Sequence, residues 1–139
     1  MAASYSKSKG RSNKERYILI PHNVVESEDF LKLSFSAKTT LIAIAHQFNG
    51  YNNGDLSFAH SRALVWGFGS KSTLAKALKE LMAADLIVRS RDPRRDRDNP
   101  HGQCSLYALT WLKVDECKGK HELNATVAPL RAFSLNARI

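Results

Sequence analysis

Residues Ser57 to Arg89 read SFAHSRALVWGFGSKSTLAKALKELMAADLIVR, and this stretch decides the fold. It divides into a short helical pattern over 58–66, a turn that contains glycine, a longer helical pattern over 70–83 and an apolar strand pattern over 86–90. The longer pattern has an apolar face with spacings of three and four residues, formed by Leu74, Ala77, Leu78 and Leu81. Its polar and cationic face comprises Ser70, Lys71, Ser72, Thr73 and Lys76. Such a helix can pack on one side and meet a polyanion on the other.

An apolar helix is predicted ahead of this stretch, over residues 34–48, with Ser34 as its N-cap. Its core face is expected to comprise Ala37, Leu41, Ile44, Ala45 and Phe48. The asparagine–glycine pairs at 49–50 and 53–54 predict a loop after it, and turn chemistry accounts for these asparagines better than ligand contacts do. In the helix over 58–66, the core contacts are expected from Ala63, Leu64 and Trp66.

A charged stretch over 91–103 lies between two strand patterns. The first strand pattern covers 86–90, and the second covers 104–111. In the second, the residues that alternate along the strand are Leu106, Ala108 and Thr110 against Tyr107 and Leu109. Strand, charged loop and strand predict a β-hairpin directly after the helix over 70–83.

The order of these elements resembles a winged helix-turn-helix domain, a family that includes small regulators and replication proteins of plasmids and phages. The segments that carry the resemblance are Leu33–Ser34 with the helix after it, Trp66–Ser70, Thr73–Leu78, Leu86–Ile87 and Tyr107–Trp111. The resemblance implies an α+β fold in which a three-helix core carries a β-hairpin wing. The predicted organisation is a disordered basic arm over 1–16, the winged helix-turn-helix domain over 17–112 and an extended C-terminal tail over 113–139. Within the domain, Tyr17–Ile20 is a short strand or an extended lead-in.

The resemblance also implies which residues would contact double-stranded DNA. The helix over 70–83 would enter the major groove through Ser70, Lys71, Ser72, Thr73 and Lys76. The wing would supply Arg91, Arg94, Arg95, Arg97 and Gln103, together with His101. Aspartates alternate with these arginines, and they either orient the guanidinium groups or weaken the positive field. No side chain in the helical set makes a strongly diagnostic pair with a base, so a modest sequence preference is expected for each monomer.

The charge of the chain agrees with an anionic partner without selecting one. The net charge is +8 over 139 residues, and the isoelectric point is about 9.7. The basic residues of the N-terminal arm are Lys7, Lys9, Arg11, Lys14 and Arg16. This arm either lies along a phosphate backbone or is a solvated terminus.

Catalytic and cofactor signatures are absent from the sequence. It contains no phosphate-binding Gly-x4-Gly-Lys motif, no His-Glu-x-x-His motif and no Gly-x-Ser-x-Gly motif. Zinc could be bound by two histidines and two cysteines, namely His101, Cys104, Cys117 and His121. A zinc site is disfavoured, because no Cys-x2-Cys pair anchors the set. We therefore expect a non-enzymatic protein without metal or cofactor.

Neither a signal peptide nor an apolar run of membrane-spanning length occurs in the sequence. We therefore expect a cytoplasmic protein that does not enter a membrane, with reduced cysteines. The first functional hypothesis is sequence-preferring binding to double-stranded DNA, as a transcriptional regulator or a replication accessory of a mobile element. A homodimer on paired half-sites would sharpen its preference. The alternative is a protein-interaction module in which residues 113–139 dock an acidic partner.

Overall fold

The computed structural model describes residues 15–96 and 99–133, with the backbone alone for 95, 96 and 99–102. In this part of the chain the fold is mixed α+β, with five α-helices ahead of an antiparallel hairpin. The helices are α1 His22–Val25, α2 Glu28–Leu31, α3 Phe35–His46, α4 His60–Val65 and α5 Lys71–Ala83. The strands are β1 Ile87–Arg91, β2 Arg94–Asp96, β3 Asn99–Gln103 and β4 Leu106–Leu109, and a 3-10 turn follows at Cys117–Gly119.

The two long helices, α3 and α5, form where the sequence predicts them, and they pack against each other. Each begins at a serine whose side-chain oxygen accepts a hydrogen bond from a backbone amide three residues later. Ser34 caps α3 in this way and Ser70 caps α5, both at 3.2 Å. The apolar side chains predicted for the two facing surfaces lie in one core cluster.

The short helix α4 differs from its prediction in length and in one core residue. It has six residues, and of its predicted contacts Ala63 is buried and Trp66 packs partly against the core. Leu64 was expected in the core, but it is 55% exposed, and Val65 is 83% exposed. The reason is geometric: a helix of about one and a half turns directs a narrow face inward, and Leu64 lies about 100° around the axis from Ala63.

The hairpin is longer than the two predicted strands, because the charged stretch between them is also paired. Strand β1 pairs with β4 in antiparallel register, for example Ile87 with Leu109 and Val88 with Ala108. Beyond a register shift after Arg89, β2 pairs with β3. The stretch expected to be a charged loop is therefore mostly a second two-stranded ladder.

A β-bridge joins the loop before α4 to strand β4 of the hairpin. Leu56 and Tyr107 exchange backbone hydrogen bonds at 3.3 and 2.7 Å. Leu56 thereby occupies the position of a third, very short strand next to β4. The order of α3, this bridge, α4, α5 and the hairpin is compatible with a winged helix.

The N-terminal part of the described chain contains features that sequence patterns did not predict. Residues 15–20 form neither helix nor strand, which leaves the extended lead-in of the two alternatives. The single-turn helices α1 and α2 follow, and Ser27 caps α2 by accepting from the amide of Phe30. No helix in the described ranges is long and apolar enough to cross a membrane.

The described part of the C-terminal tail, residues 113–133, packs back onto the domain, and we call it the C-terminal segment. Its backbone amides at Glu122 and Arg131 donate to the carbonyls of Ser90 and Thr110, at 2.8 and 2.9 Å. These contacts run along the hairpin, and β4 is buried at all four of its residues. The segment therefore belongs to the folded body of the protein.

One buried side chain, Asn53, joins the loop after α3 to the end of the hairpin. It is fully buried, and its Nδ2 donates to the carbonyls of Leu109 and Lys113 at 3.0 and 2.8 Å. Its Oδ1 accepts from the amide of Leu109 at 2.7 Å, so the carboxamide bonds both backbone polar groups of that residue as a neighbouring strand would. The amide of Asn53 donates to Oδ2 of Asp115 at 2.8 Å, which ties in the C-terminal segment.

The next residue, Gly54, permits a close approach of the C-terminal segment. Its φ is +124°, in the left-handed region that favours glycine, and a Cβ there would lie 2.5 Å from Nε2 of His121.

 His121 is itself buried, and its Nε2 donates to the carbonyl of Asp115 at 2.6 Å while its Nδ1 accepts from the amide of Leu123 at 3.1 Å. The imidazole therefore holds the C-terminal segment against the loop that contains Gly54.

Candidate nucleic-acid interface

The exposed face of α5 carries the cations that the sequence singles out, together with one that it does not. Lys71, Ser72 and Lys76 are exposed, and Lys79 lies on the same face. Lys79 was missed by the sequence interpretation, although its spacing of three from Lys76 and eight from Lys71 places it on this stripe. The polar stripe is therefore longer than the first turn of the helix.

The two remaining residues of the predicted helical set act mainly at the start of α5. Ser70 and Thr73 are half-buried, and the amide of Thr73 donates to Oγ of Ser70 at 3.2 Å. The Ser70 hydroxyl also lies 3.1 Å from that of Ser72 and 3.0 Å from that of Thr73. These hydroxyls are engaged with one another, so they fix the helix start and leave the lysines as the main outward groups.

In the part of the chain that the structure describes, no ion pair compensates the charge on the exposed face of α5. Within the described residues, Lys71, Lys76 and Lys79 form no ion pair. The one carboxylate in the sequence of α5 is Glu80, which accepts from the amide and the hydroxyl of Ser34 at 2.7 and 2.8 Å. Glu80 therefore joins α5 to the start of α3 and does not neutralise the lysine stripe.

A groove separates α5 from the hairpin, with a volume of about 230 Å³. Cations stand on both of its walls, with Lys71 and Lys79 on the helix and Arg89 on β1. Arg89 lies 5.9 Å from the ring centre of Tyr107 and 3.8 Å from the carboxylate of Asp92. Arg89 is not among the residues that the sequence patterns single out; its place on a strand beside the predicted wing is the signal that could have identified it.

Apart from Arg91, the predicted wing residues fall into three groups. Arg94 is exposed on β2, and Gln103 is its register partner on β3. The backbones of Arg95 and His101 lie on β2 and β3, whereas Arg97 falls outside the described residues. The structure thus places Arg94 and Gln103 side by side on the outer ladder.

Arg91 has a different environment from the other wing residues. Its guanidinium donates to the carbonyl of Cys104 at 2.7 Å and to that of Lys120 at 3.5 Å. Arg91 thus connects the hairpin to the C-terminal segment. Its hydrogen-bonding capacity is partly used inside the protein, which makes it a weaker candidate for phosphate contact than Arg89.

The basic arm contributes one described residue to this picture. Arg16 is exposed and lines an apolar groove with Tyr17 and Leu19. The other members of the predicted set, Lys7, Lys9, Arg11 and Lys14, lie outside the described residues.

Of the four residues considered for zinc, His121 and Cys117 make side-chain hydrogen bonds within the fold, and Cys104 is exposed. Both ring nitrogens of His121 are hydrogen-bonded to backbone groups. Burial raises the pKa of the Cys117 thiol, and the charges of Asp55 and Asp115 raise it further. Among the described residues, no group of three or more metal-binding side chains comes together.

The arrangement as a whole offers positively charged groups on a helix, on a neighbouring strand and on the outer ladder, with a groove between helix and hairpin. Comparison of the chain with models of protein families, with curated proteins and with solved structures found no match.

Proposed function

We propose that this chain is a winged helix-turn-helix protein that binds double-stranded DNA, with α5 as the recognition helix and the hairpin as the wing. The role that fits it best is that of a transcriptional regulator or a replication accessory of a mobile element, acting in the cytoplasm. The observation that carries the proposal is the stripe of Lys71, Lys76 and Lys79, which no carboxylate of the described chain neutralises. Uncompensated cations on one helix face match the regular anionic charge of a phosphate backbone.

The groove between α5 and the hairpin supports a double-stranded partner in particular. A helix can enter the major groove while an adjacent hairpin follows the backbone, so cations are needed on both elements. Lys71 and Lys79 on one wall and Arg89 on the other satisfy this requirement. Arg94 extends the positive surface along the outer ladder.

The chemistry of these side chains predicts how the protein would bind. Lysine is a point charge for phosphate, and the serine and threonine hydroxyls at the start of α5 are engaged with one another. Phosphate contacts would therefore supply most of the affinity, with a modest preference for sequence. A homodimer on two half-sites would increase that preference.

The alternative, an interaction module that docks an acidic partner through residues 113–139, has less support. It requires a tail that is free to reach a partner. Residues 113–133 instead make hydrogen bonds to Ser90, Thr110 and Asn53 of the domain.

Fluorescence anisotropy with a short labelled duplex of random sequence tests the proposal. We expect binding at low salt, and an affinity that falls roughly a hundredfold between about 50 and 200 mM salt if about four phosphates are contacted. Lys71→Glu should weaken binding strongly, as should the double change Arg94→Glu with Arg95→Glu. Lys118→Glu is the matched control, because it makes the same change in charge within the C-terminal segment, where Lys118 is exposed.

Two results would contradict the proposal. The first is the absence of binding at low salt. The second is an equal loss of affinity in Lys71→Glu and Lys118→Glu, which would show that net charge and not the face of α5 determines binding.

A further inference from the structure

The recognition helix α5 ends in a hydrogen-bonded turn that contains a strained residue. The amide of Leu86 donates to the carbonyl of Leu81 at 3.1 Å, and that of Asp85 donates to Met82 at 3.0 Å. This is the Schellman pattern, which requires a left-handed residue and favours glycine there. Asp85 occupies that position with φ +58°. The helix end is therefore held in a conformation that Asp85 adopts at a cost of about 1 kcal/mol.

Arg131 of the C-terminal segment, 46 residues after Asp85 in the chain, donates hydrogen bonds to this helix end. One guanidinium nitrogen, Nη1, donates to the carbonyls of Ala84 and Asp85 at 2.9 and 3.0 Å. A positive group at the carboxyl end of a helix also interacts favourably with the helix dipole. Arg131 thus brings a positive charge to a helix end that has no basic residue in its last turn. It shares the carbonyl of Asp85 with the hydroxyl of Thr110, which donates to that carbonyl at 2.9 Å.

The same side chain reaches two other parts of the fold. Its Nη2 donates to Oδ2 of Asp29 on α2 at 2.6 Å, and the guanidinium lies 4.1 Å from the ring centre of Phe133. Its backbone amide donates to the carbonyl of Thr110, directly after β4. Arg131 therefore connects the end of α5 to α2 and to the hairpin.

We propose that Arg131 is a positioning residue for DNA binding, whose guanidinium fork sets the orientation of α5 relative to the hairpin. This inference rests on the proposed function. Arg131 would act through α5, because Lys76 lies eight residues before Ala84, about 12 Å along the helix axis. That separation exceeds the screening length of about 8 Å at physiological salt, so direct repulsion between the two charges contributes little.

A double-mutant cycle on binding to a random duplex tests the role. We expect Lys76→Ala to weaken binding about fivefold in the unaltered protein, the loss of one phosphate contact. In an Arg131→Gln background the same change should weaken binding less than about twofold, because the misoriented helix no longer places Lys76 against a phosphate. Additive effects of the two changes would overturn the proposal.

Two further variants separate orientation from stability and from charge. Val114→Ala removes buried side-chain volume elsewhere in the C-terminal segment. In that background Lys76→Ala should keep its full effect at a temperature where circular dichroism shows every variant to be folded. Arg131→Lys keeps the charge but loses the fork, and it should behave like Arg131→Gln. A full effect of Lys76→Ala in Arg131→Lys would assign the coupling to charge and overturn the proposal.

Failure of the two proposals can be told apart in the same experiment. If the unaltered protein does not bind duplex DNA at low salt, the proposed function fails and the role of Arg131 in binding fails with it. If the unaltered protein binds and the cycle is additive, the role of Arg131 alone is overturned.

Discussion

The face of α5 differs in its polar contacts from the corner where residues 53–55 meet Asp115, Cys117 and His121. On α5, the ammonium groups of Lys71, Lys76 and Lys79 lie in solvent with no ion pair among the described residues. At the corner, Asn53 is buried and fully hydrogen-bonded, and nearby charges are paired. Lys113 lies 3.1 Å from Asp115 in this corner, and Lys120 lies 3.5 Å from Asp55.

The difference separates groups that hold the protein together from groups that are available to a partner. A buried polar group costs free energy when it loses its partner, so the corner should be sensitive to substitution. An exposed lysine without a partner contributes little to folding. We therefore expect substitutions in the corner to change the free energy of unfolding and substitutions on α5 to change binding.

The largest effect is expected from Asn53→Ala. The change leaves the amide and carbonyl of Leu109 and the carbonyl of Lys113 without their buried partner. The free energy of unfolding should fall by about 4 kcal/mol, measured by urea denaturation. The control is Asn52→Ala, a half-buried residue with hydrogen bonds in its own loop, for which about 1 kcal/mol is expected. Similar losses in the two variants would show that the buried hydrogen bonds of Asn53 stabilise the fold no more than the loop contacts of Asn52 do.

The next effect is expected from Gly54→Ala, which combines backbone strain with a collision against His121. We expect a loss of about 3 kcal/mol in the free energy of unfolding. Gly50→Ala is the matched control, because Gly50 also has a positive φ but no atom within 4 Å of an added Cβ. Its loss should be about 1 kcal/mol, from strain alone. If Gly50→Ala were as costly as Gly54→Ala, the close approach of His121 would have no energetic role.

On the exposed face of α5, Lys79→Ala should leave the free energy of unfolding unchanged and weaken DNA binding. The free energy of unfolding should stay within about 0.5 kcal/mol of its original value, because Lys79 is exposed and has no ion pair in the described chain. The slope of log affinity against log salt concentration is negative, and its magnitude should decrease by about 1. Anisotropy titrations at several salt concentrations measure that slope, and an unchanged slope would exclude Lys79 from the interface.

The smallest effect is expected at Cys117, which belongs to the corner. Burial, followed by the charges of Asp55 and Asp115, raises the pKa of its thiol. Because the folded pKa lies above the unfolded one, the stabilising contribution is complete below the unfolded pKa and is lost as the pH rises through the folded pKa. The stability should therefore decline slightly on the alkaline side.

Alkylation of the thiols tests whether the environment of Cys117 lowers its reactivity. Cys104 is exposed, so iodoacetamide should modify it faster than Cys117 at about pH 8. The variants Cys104→Ser and Cys117→Ser, followed by mass spectrometry, give each rate separately. A faster reaction at Cys117 would contradict its protected environment.

The regular elements could be predicted because their signals are local. Serine caps and spacings of three and four define α3 and α5, and the apolar and aromatic run of β4 is visible in the sequence. The predicted alternation along β4 does not appear in its burial, because all four of its residues are buried. The pairing of β2 with β3 could not be predicted, because arginine, aspartate and proline are poor strand signals and the ladder depends on its neighbours. Leu64 was misplaced because the spacing alone does not give the width of the buried face of so short a helix.

The candidate site was predictable only where its residues follow a local pattern. Its lysines at the start of α5 follow from helix periodicity, whereas Arg89 becomes a candidate only through the groove that the hairpin forms with α5. The internal role of Arg91 depends on Cys104 and Lys120, which lie far from it along the chain. Tertiary contacts of this kind leave no local pattern in a single sequence.

The contacts of the C-terminal segment have a consequence for the order of folding. Nδ2 of Asn23 bonds the carbonyl of Phe133 across 110 residues, and Arg131 bonds Asp29 across 102. Closing loops of this length is entropically unfavourable and slows the search for the native topology. We expect α5 to become partly protected from hydrogen exchange early, through local contacts, and its last turn to become protected only when Arg131 arrives. The two ends of the helix should therefore report two separate kinetic phases of refolding.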